Sequence, residues 1–270
     1  MSLTVGSLFS GIGGIDLGLE RAGMTVKWHS EIQPYACQVL KKHWPHVPNI
    51  GDITAVNWKE VEHVDVIAGG YPCQPFSTAG QRRGEDDSRH LWPFFRDAIS
   101  VLRPRYALLE NVRGHLSMGG LSVIGDLTAI GYDAEWRIVS AASVGANHRR
   151  DRLIVVAYAA REWLNKQRKW EVSEPDIVRR STNVADTESR YGRDAQPHRL
   201  PSVFGQAAKL REPSSNFRSV ASWWEIEPDV GRVAHGVPSR VDRLRGLGNA
   251  VVPQVAEVIG RLIMEHARHD

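Results

Sequence analysis

The 270-residue sequence contains only two cysteines, Cys37 and Cys73, and it has no long hydrophobic run. Two cysteines are too few for a disulfide framework, which indicates a reducing, intracellular environment. No apolar stretch reaches the roughly 18 residues that a membrane-spanning helix needs. The first residues also lack the basic and apolar stretches of a secretory signal peptide. We therefore expect a cytoplasmic protein that has no membrane partner.

The chain has little net charge, because 34 lysines and arginines are balanced by 31 aspartates and glutamates. The resulting net charge of +3 is too small to indicate a nucleic-acid partner by itself. The charge is unevenly distributed, since residues 161–220 contain 12 basic and 8 acidic residues and carry +4. The rest of the chain must then sum to −1, which is +3 minus +4. A hydrophobic fraction of 42% suits a globular protein with one large domain or one large and one small domain.

Short apolar runs alternate with helical patterns up to about residue 158, and this alternation predicts an α/β fold with a largely parallel sheet. The predicted strands are residues 3–9, 25–30, a strand ending at 49–53, 64–68, 105–109, 134–141 and 152–158. The predicted helices are one that ends at Gly23 and residues 34–42, 91–102 and 121–130.

The alternation stops between residues 163 and 236, which are rich in arginine, serine, proline and tryptophan. It resumes at Pro238, where residues 245–253 are predicted to form a turn that enters a last helix. We therefore expect a main domain built from residues 1–158 and 237–270. Residues 159–236 are expected to form a small irregular region.

Cys73 lies between two prolines, shortly after the predicted strand of residues 64–68. Ligands of open α/β sheets bind at the carboxyl ends of strands, where a cysteine is placed to act as a nucleophile. The local sequence leaves a buried packing cysteine equally open. Residues 78–89 are polar and charged and predict a mobile loop that suits a lid. Cys37, within a predicted helix, is interpreted as core packing.

A glycine-rich turn, residues 10–14, joins the first predicted strand to the first helix and allows the backbone to approach a nucleotide-like ligand closely. Its spacing differs from Gly-x-Gly-x-x-Gly, so a simple tight turn is the alternative. Glu31 and Asp52 stand at predicted strand ends, where acids commonly bind ribose hydroxyls. For Glu31 the alternative is a favourable interaction with a helix N-terminus.

Glu110 emerges with its strand beside Cys73 and is a candidate acid. The arginines at 149, 150 and 152 indicate either a basic surface or contacts with phosphates or base edges. His43 and His46 lack a third ligand nearby, so no metal site is predicted.

Taken together and in this order, the motifs resemble those of the cytosine-C5 DNA methyltransferases over roughly residues 3–158 and 238–265. The resemblance implies a Rossmann-like methyltransferase sheet with helices on both faces and a small irregular target-recognition region. It implies an S-adenosylmethionine site formed by Phe9, Ser10, Gly11, Ile12, Gly13, Gly14, Glu31, Ile32, Asp52, Ile53, Pro72, Leu91, Asn249 and Ala250. The catalytic residues that it implies are Cys73, Glu110, Arg150 and Arg152.

The implied activity is methylation of C5 of cytosine in a specific double-stranded DNA sequence, through attack of Cys73 on C6 of a flipped-out base. The implied partner is DNA, the expected state is a monomer, and a separate restriction endonuclease is left open. A tRNA methyltransferase of the same family and a non-catalytic DNA-binding relative are alternatives. A nicotinamide-dependent oxidoreductase would not explain the Pro72-Cys73-Gln74 motif. His148 stands where the family usually has glutamine, and residues 159–236 match no known pattern, so the target sequence is not predicted.

Overall fold

The computed structural model describes residues 2–72, 91–117, 119–159, 203 and 239–269, apart from the side chain of Ser117. The strands are β1 (Thr4–Leu8), β2 (Thr25–Ser30), β3 (Val66–Gly69), β4 (Tyr106–Val112), β5 (Tyr132–Val139) and β6 (Arg152–Ala159). The α-helices are α1 (Gly14–Arg21), α2 (Pro34–His43), α3 (Trp92–Leu102), α4 (Gly120–Ala129), α5 (Arg240–Asn249) and α6 (Pro253–His269). None of these helices combines the length and hydropathy that a membrane span requires.

The six strands form one sheet in the order β2-β1-β3-β4-β6-β5. β1 pairs in parallel with both β2 and β3, and β3 pairs in parallel with β4. β6 lies antiparallel between β4 and β5. The strand order reverses at β1, so a crevice is expected where β1 and β3 end. The start of β6 lies at that same edge because β6 runs in the opposite direction.

Apolar residues on the central strands alternate between the two faces of the sheet, and each face is covered by helices. Ile67 and Leu109 pack in a core with α3 and α4. Val66 and Leu108 pack in a second core with α1 and α6. Successive residues of a strand point to opposite faces, so the strands that are covered on both sides are continuously apolar. The predicted α/β sheet with helices on both faces is confirmed.

The strand predicted to end at residues 49–53 is wrong. Among the residues that the structure describes, one isolated parallel bridge, between His29 and Asn49, extends the sheet beyond β2. Pro48 has no backbone N–H to donate, and Gly51 adopts a φ of +82°, outside the extended region. A ladder of hydrogen bonds therefore cannot continue through this segment.

The turn predicted for residues 245–253 is also wrong over its first half, because residues up to Asn249 belong to α5. Gly246 and Gly248 suggested a turn, but Gly246 serves close packing. A Cβ atom at Gly246 would stand 3.0 Å from Cγ2 of Ile12. The connection between α5 and α6 is confined to residues 250–252, and it begins with an extended Ala250.

Cys73, the predicted loop of residues 78–89 and nearly all of the predicted recognition region lie outside the described residues. In the recognition region only Ala159, at the end of β6, and Val203 are described. The backbone N–H of Val203 donates to Oε1 of Glu135 on β5 at 3.2 Å. The predicted division into two domains stays a prediction.

Candidate active site

A cleft of about 960 Å³ opens at the carboxyl ends of β1 to β4. It brings together thirteen of the fourteen predicted cofactor residues, and Gly13 is the one that does not line it. Of the predicted catalytic residues, Glu110 and Arg152 line the cleft and Arg150 does not. The thirteen are Phe9, Ser10, Gly11, Ile12, Gly14, Glu31, Ile32, Asp52, Ile53, Pro72, Leu91, Asn249 and Ala250.

The glycine-rich turn between β1 and α1 bends sharply and packs against the end of the chain. Gly11 and Gly13 have φ values of +56° and +84°, which glycine adopts at no steric cost. A Cβ atom at Gly14 would stand 2.5 Å from the carbonyl oxygen of Val251. Only glycine therefore permits this close approach between the start of α1 and the segment that links α5 to α6.

Glu31 ties the glycine-rich turn to the start of α2. Its Oε2 accepts a hydrogen bond of 2.7 Å from the N–H of Gly11. Its Oε1 accepts from the N–H groups of Ile32 and Gln33, at 2.9 and 2.7 Å. A carboxylate has about four acceptor positions, so Glu31 keeps capacity for one donor from the cleft. The helix-terminus interpretation and the ligand-binding interpretation are thus compatible.

Asp52 reaches the same cleft from the segment that follows the His29–Asn49 bridge. Its Oδ1 accepts hydrogen bonds from the N–H and the hydroxyl of Thr54, at 2.9 and 2.8 Å. Among the described contacts of its side chain none involves Oδ2, which leaves that oxygen for a ligand. The two carboxylates suit a ligand that offers hydroxyl and amine donors, and they would repel a phosphate.

Asn49 holds these two acidic segments together, and sequence reasoning did not select it. Its Oδ1 accepts from the N–H of Glu31 at 3.0 Å and from the N–H of Gly51 at 3.2 Å. Its Nδ2 donates to the carbonyl oxygen of Glu31 at 2.9 Å. The side chain thus joins the end of β2 to the loop that carries Asp52. A polar residue two positions before the Gly51-Asp52 pair was the available signal.

Cys37 lies beside this junction, where its sulfur donates to the carbonyl oxygen of Glu31 at 3.3 Å. Burial is the main cause that raises the pKa of the Cys37 thiol, and the negative charge of Glu31 raises it further. A thiol whose pKa is raised is a poor nucleophile. Cys37 was predicted to pack in the core, but it is only partly buried and instead contacts the backbone of Glu31.

Glu110 and Arg152 form an ion pair at the end of β4 and the start of β6, where Arg152 Nε lies 2.7 Å from Glu110 Oε1. Glu110 is 8% exposed. Burial raises the pKa of Glu110, while the nearby charges of Arg152 and Arg150 oppose that shift. Gly70 makes room for the carboxylate, since a Cβ atom there would stand 2.7 Å from Glu110 Oε2. This environment keeps a proton on Glu110 to a higher pH than on an exposed glutamate.

Arg150 has different partners from Arg152. Its Nη2 donates to the carbonyl oxygens of Gly248 and Ala250, at 2.5 and 2.7 Å. Burial lowers the pKa of Arg150, and the charge of Arg152 lowers it further. The guanidinium therefore clamps the backbone on either side of Asn249, at the C-terminus of α5, where a cation is favoured.

The end of β3 is held by residues that follow Glu110. Asn111 Nδ2 donates to the carbonyl oxygen of Tyr71 at 3.1 Å. The hydroxyl of Tyr71 lies 2.7 Å from Nε2 of His115. Sequence reasoning selected neither Tyr71 nor His115, and an aromatic residue just before Pro72 was the available signal.

Comparison with known proteins places the chain in a family. The model of the C-5 cytosine-specific DNA methylases matches residues 3–214. The chain is 29% identical to the type II methyltransferase M.NaeI of Lentzea aerocolonigenes in an alignment 322 positions long with its gaps, which covers 97% of this chain and 75% of that protein. It is 40% identical to the type II methyltransferase M.Eco47II of Escherichia coli over 162 residues, which cover 57% of this chain and 39% of that protein. It is 37% identical to the type II methyltransferase M.NgoMIV of Neisseria gonorrhoeae, with 58% of this chain and 52% of that protein covered.

The chain thus spans three quarters of M.NaeI but about half or less of the other two relatives. A solved Escherichia coli structure, described as a prophage-encoded DNA modification methyltransferase, is 31% identical with a TM-score of 0.50, over 64% of this chain and 49% of that one. The Dnmt2 methyltransferase of S. pombe shares the fold, with a TM-score of 0.51 and 22% identity. The match covers 64% of this chain and 57% of that one. Because the family model matches well over half of its length, this chain belongs to the C-5 cytosine-specific DNA methylases, which confirms the resemblance and the class of enzyme inferred from the motifs.

Proposed function

We propose that this protein transfers a methyl group from S-adenosylmethionine to C5 of cytosine in a specific double-stranded DNA sequence. The observation that carries the proposal is the single cleft onto which the acids Glu31 and Asp52 and the pair Glu110–Arg152 all open. Pro72 lines this cleft too, and Cys73 follows it in the sequence. This arrangement supports adjacent sites for a donor molecule and for a cytosine base.

S-adenosylmethionine, when bound, supplies the methyl group. Glu31 and Asp52 would accept hydrogen bonds from its sugar hydroxyls and its adenine amine, which is the kind of ligand that the two carboxylates fit. The glycine-rich turn brings backbone close to that ligand, and Arg150 holds the Asn249 segment that borders the cleft. These residues bind and orient the donor molecule without taking part in the chemistry.

Cytosine C5 is a weak nucleophile, so the base must first be activated. We infer that the Cys73 thiolate donates its electron pair to C6, which forms an S–C6 bond and shifts the C5–C6 π electrons toward C5 and the N3–O2 side of the ring. Protonated Glu110 would stabilise the charge at N3, and Arg152 would do so at O2. C5 would then take the methyl group as the bond between that methyl and the donor's sulfonium sulfur breaks, which leaves a neutral thioether. Loss of the C5 proton to a proton acceptor and cleavage of the S–C6 bond would restore aromaticity and release the thiolate.

The raised pKa of Glu110 supports this assignment, because a carboxyl group must carry a proton to donate one to N3. A cytosine that stays stacked in the DNA double helix keeps C6 out of reach of a side chain in a cleft. We therefore infer base flipping.

Residues 159–236 are proposed to contact the DNA and to read its sequence. The support is their basic excess, +4 over residues 161–220, and their lack of a core periodicity. Phosphate contacts would supply affinity that falls with salt, and a few side chains would read base edges. Exchange of this segment for that of a relative with a known target should transfer sequence preference, and retained preference would place recognition elsewhere.

The names of the curated relatives, type II methyltransferases, support a role in restriction and modification. On that view a cognate endonuclease acts separately on the same sequence. The monomeric state and the cytoplasmic location stay predictions.

The test uses tritiated S-adenosylmethionine with unmethylated duplex DNA and, separately, with tRNA, followed by analysis of the nucleosides. We expect tritium in 5-methyl-2′-deoxycytidine from the DNA. Label in 5-methylcytidine from the tRNA would support the RNA alternative. No transfer to either substrate, from protein that binds DNA, would support the non-catalytic alternative.

A further inference from the structure

Tyr71 is enclosed by aromatic rings at the point where β3 reaches the cleft. It is 6% exposed, and its ring centroid lies 5.4 Å from that of Trp92, 6.0 Å from that of Phe95 and 5.4 Å from that of His115. Its hydroxyl and Nε2 of His115 are 2.7 Å apart, and His115 is 3% exposed. A hydrogen bond this short between two buried groups fixes both side chains.

The backbone around Tyr71 is held by the same part of the chain. Asn111 donates to the carbonyl oxygen of Tyr71, and Gly70 lies against the carboxylate of Glu110. Residues 70 and 71 therefore contact β4 and the segment that follows it, both through their own backbone atoms and through the Tyr71 side chain. Trp92 packs on the Tyr71 ring and is the first residue of α3. The described residues on either side of residues 73–90 are therefore in contact at Tyr71.

We propose that Tyr71 and His115 are positioning residues that hold the end of β3 at a set distance from Glu110. The proposal rests on the proposed function, in which the residue two places after Tyr71 attacks the base that Glu110 protonates. A nucleophile and an acid that act on one ring must be placed accurately, and a misplacement of about 1 Å can lower a rate about 100-fold. Loss of the Tyr71 hydroxyl should therefore lower turnover and leave cofactor affinity unchanged, because Glu31 and Asp52 bind from other segments.

The chain offers a matched control in a second buried tyrosine–histidine pair. The hydroxyl of Tyr106 lies 2.7 Å from Nδ1 of His266, and the two residues are 1% and 2% exposed. Tyr106 is the first residue of β4 and Glu110 the fifth, so the pair lies about 13 Å from the acid along the strand. Tyr106→Phe removes the same kind of bond as Tyr71→Phe, away from the cleft.

The experiment compares the full-length wild type, Tyr71→Phe and Tyr106→Phe for kcat on unmethylated duplex DNA, for the Kd of S-adenosylmethionine by calorimetry, and for thermal unfolding. We expect Tyr71→Phe to lower kcat about tenfold with a Kd within about twofold of wild type. Tyr106→Phe should lower the Tm comparably and change kcat less than about twofold. The glutamine of His115→Gln keeps a hydrogen-bonding group for Tyr71, so this variant should retain more activity than His115→Phe.

The proposal is overturned if Tyr71→Phe methylates at the wild-type rate, if Tyr106→Phe slows turnover equally, or if the cofactor Kd rises in parallel with the loss of rate. Should Tyr71→Phe not fold, the comparison of His115→Gln with His115→Phe decides, and equal rates would overturn the proposal. A wild type that transfers no methyl group contradicts the proposed function instead, so the two failures are distinguishable.

Discussion

Arg152 Nε and Glu110 Oε1 are 2.7 Å apart, across the antiparallel pair β4 and β6. Burial and the charge of Arg152 have opposite effects on the pKa of Glu110. Burial favours a protonated Glu110, and the guanidinium of Arg152 favours an ionised one. The balance leaves the pKa of Glu110 raised, with the carboxyl group oriented by its partner. A carboxyl group with this raised pKa can both hold a proton and donate it to a cytosine base.

Glu110→Gln should lower kcat by about 100-fold or more, because the amide cannot deliver a proton to N3. DNA affinity should change much less, since the side chain acts mainly on the flipped base. Single-turnover methylation and a filter-binding assay measure the two effects separately. Glu257→Gln, which removes a surface partner of Arg261 on α6, is the control. A variant that mainly loses DNA affinity would contradict the catalytic role.

The stability of the folded protein should also report the raised pKa of Glu110. The folded state holds this proton more tightly than the unfolded chain, in which the pKa is near 4.5. The wild type therefore loses stability, relative to Glu110→Gln, as the pH rises from about 4.5 through the folded-state pKa. Thermal unfolding of both proteins over a pH series measures the difference. A difference in Tm that does not change with pH would contradict the assignment.

Glu31→Ala and Asp52→Ala should each weaken S-adenosylmethionine binding by about tenfold or more. Each change removes hydrogen bonds to a charged acceptor, worth about 1.5–3 kcal/mol. Glu31→Ala also frees the N–H of Gly11, so its effect should be the larger. Calorimetry of the full-length protein gives the affinities, with Glu62→Ala, an exposed partner of Lys27, as the control. Unchanged affinity in both variants would exclude this cofactor site.

Arg150→Ala and Arg152→Ala should differ in which step they impair, although the two residues are only two positions apart in the motif. Arg150→Ala releases the carbonyl oxygens of Gly248 and Ala250 and should weaken cofactor binding. Arg152→Ala removes the partner of Glu110 and should lower kcat. Cofactor calorimetry and single-turnover rates separate the effects, and Arg149→Ala, whose side chain is 81% exposed, controls for lost charge. Equal effects on both quantities would contradict the division of roles.

Cys73 should form a covalent bond with cytosine C6. Fluorine at C5 cannot leave as a cation, so DNA that contains 5-fluorocytosine should trap the protein after methyl transfer. Denaturing electrophoresis should show a cofactor-dependent protein–DNA band, which Cys73→Ser abolishes.

Cys37→Ser is the matched control for this experiment, because the Cys37 thiol has a raised pKa and bonds to the backbone of Glu31. The band should persist in this variant. A band in Cys73→Ser, or none in wild-type protein on DNA that it methylates, would falsify the covalent mechanism.

The sequence by itself determined the fold class, the family and fifteen of the residues that line the cleft. Its signals were local: glycines in the turn after β1, Glu31 at the end of β2, and Glu110 within β4. Strands buried on both faces need apolar residues throughout, so β3, β4 and β6 were recognisable without their neighbours. The sequence also misled locally, since a glycine that packs against Ile12 looked like part of a turn.

Only the tertiary structure decided which of these residues meet. The hydrogen bonds of Arg150 span 98 and 100 residues, and the bond between Tyr71 and His115 spans 44. Nothing in the local sequence distinguishes Arg150 from Arg152, because their roles depend on a helix that the chain supplies much later. Glu110 likewise owes its raised pKa to burial and to charges from another strand. A side chain's identity is local, but its solvent exposure and its charged neighbours exist only after the strands have paired.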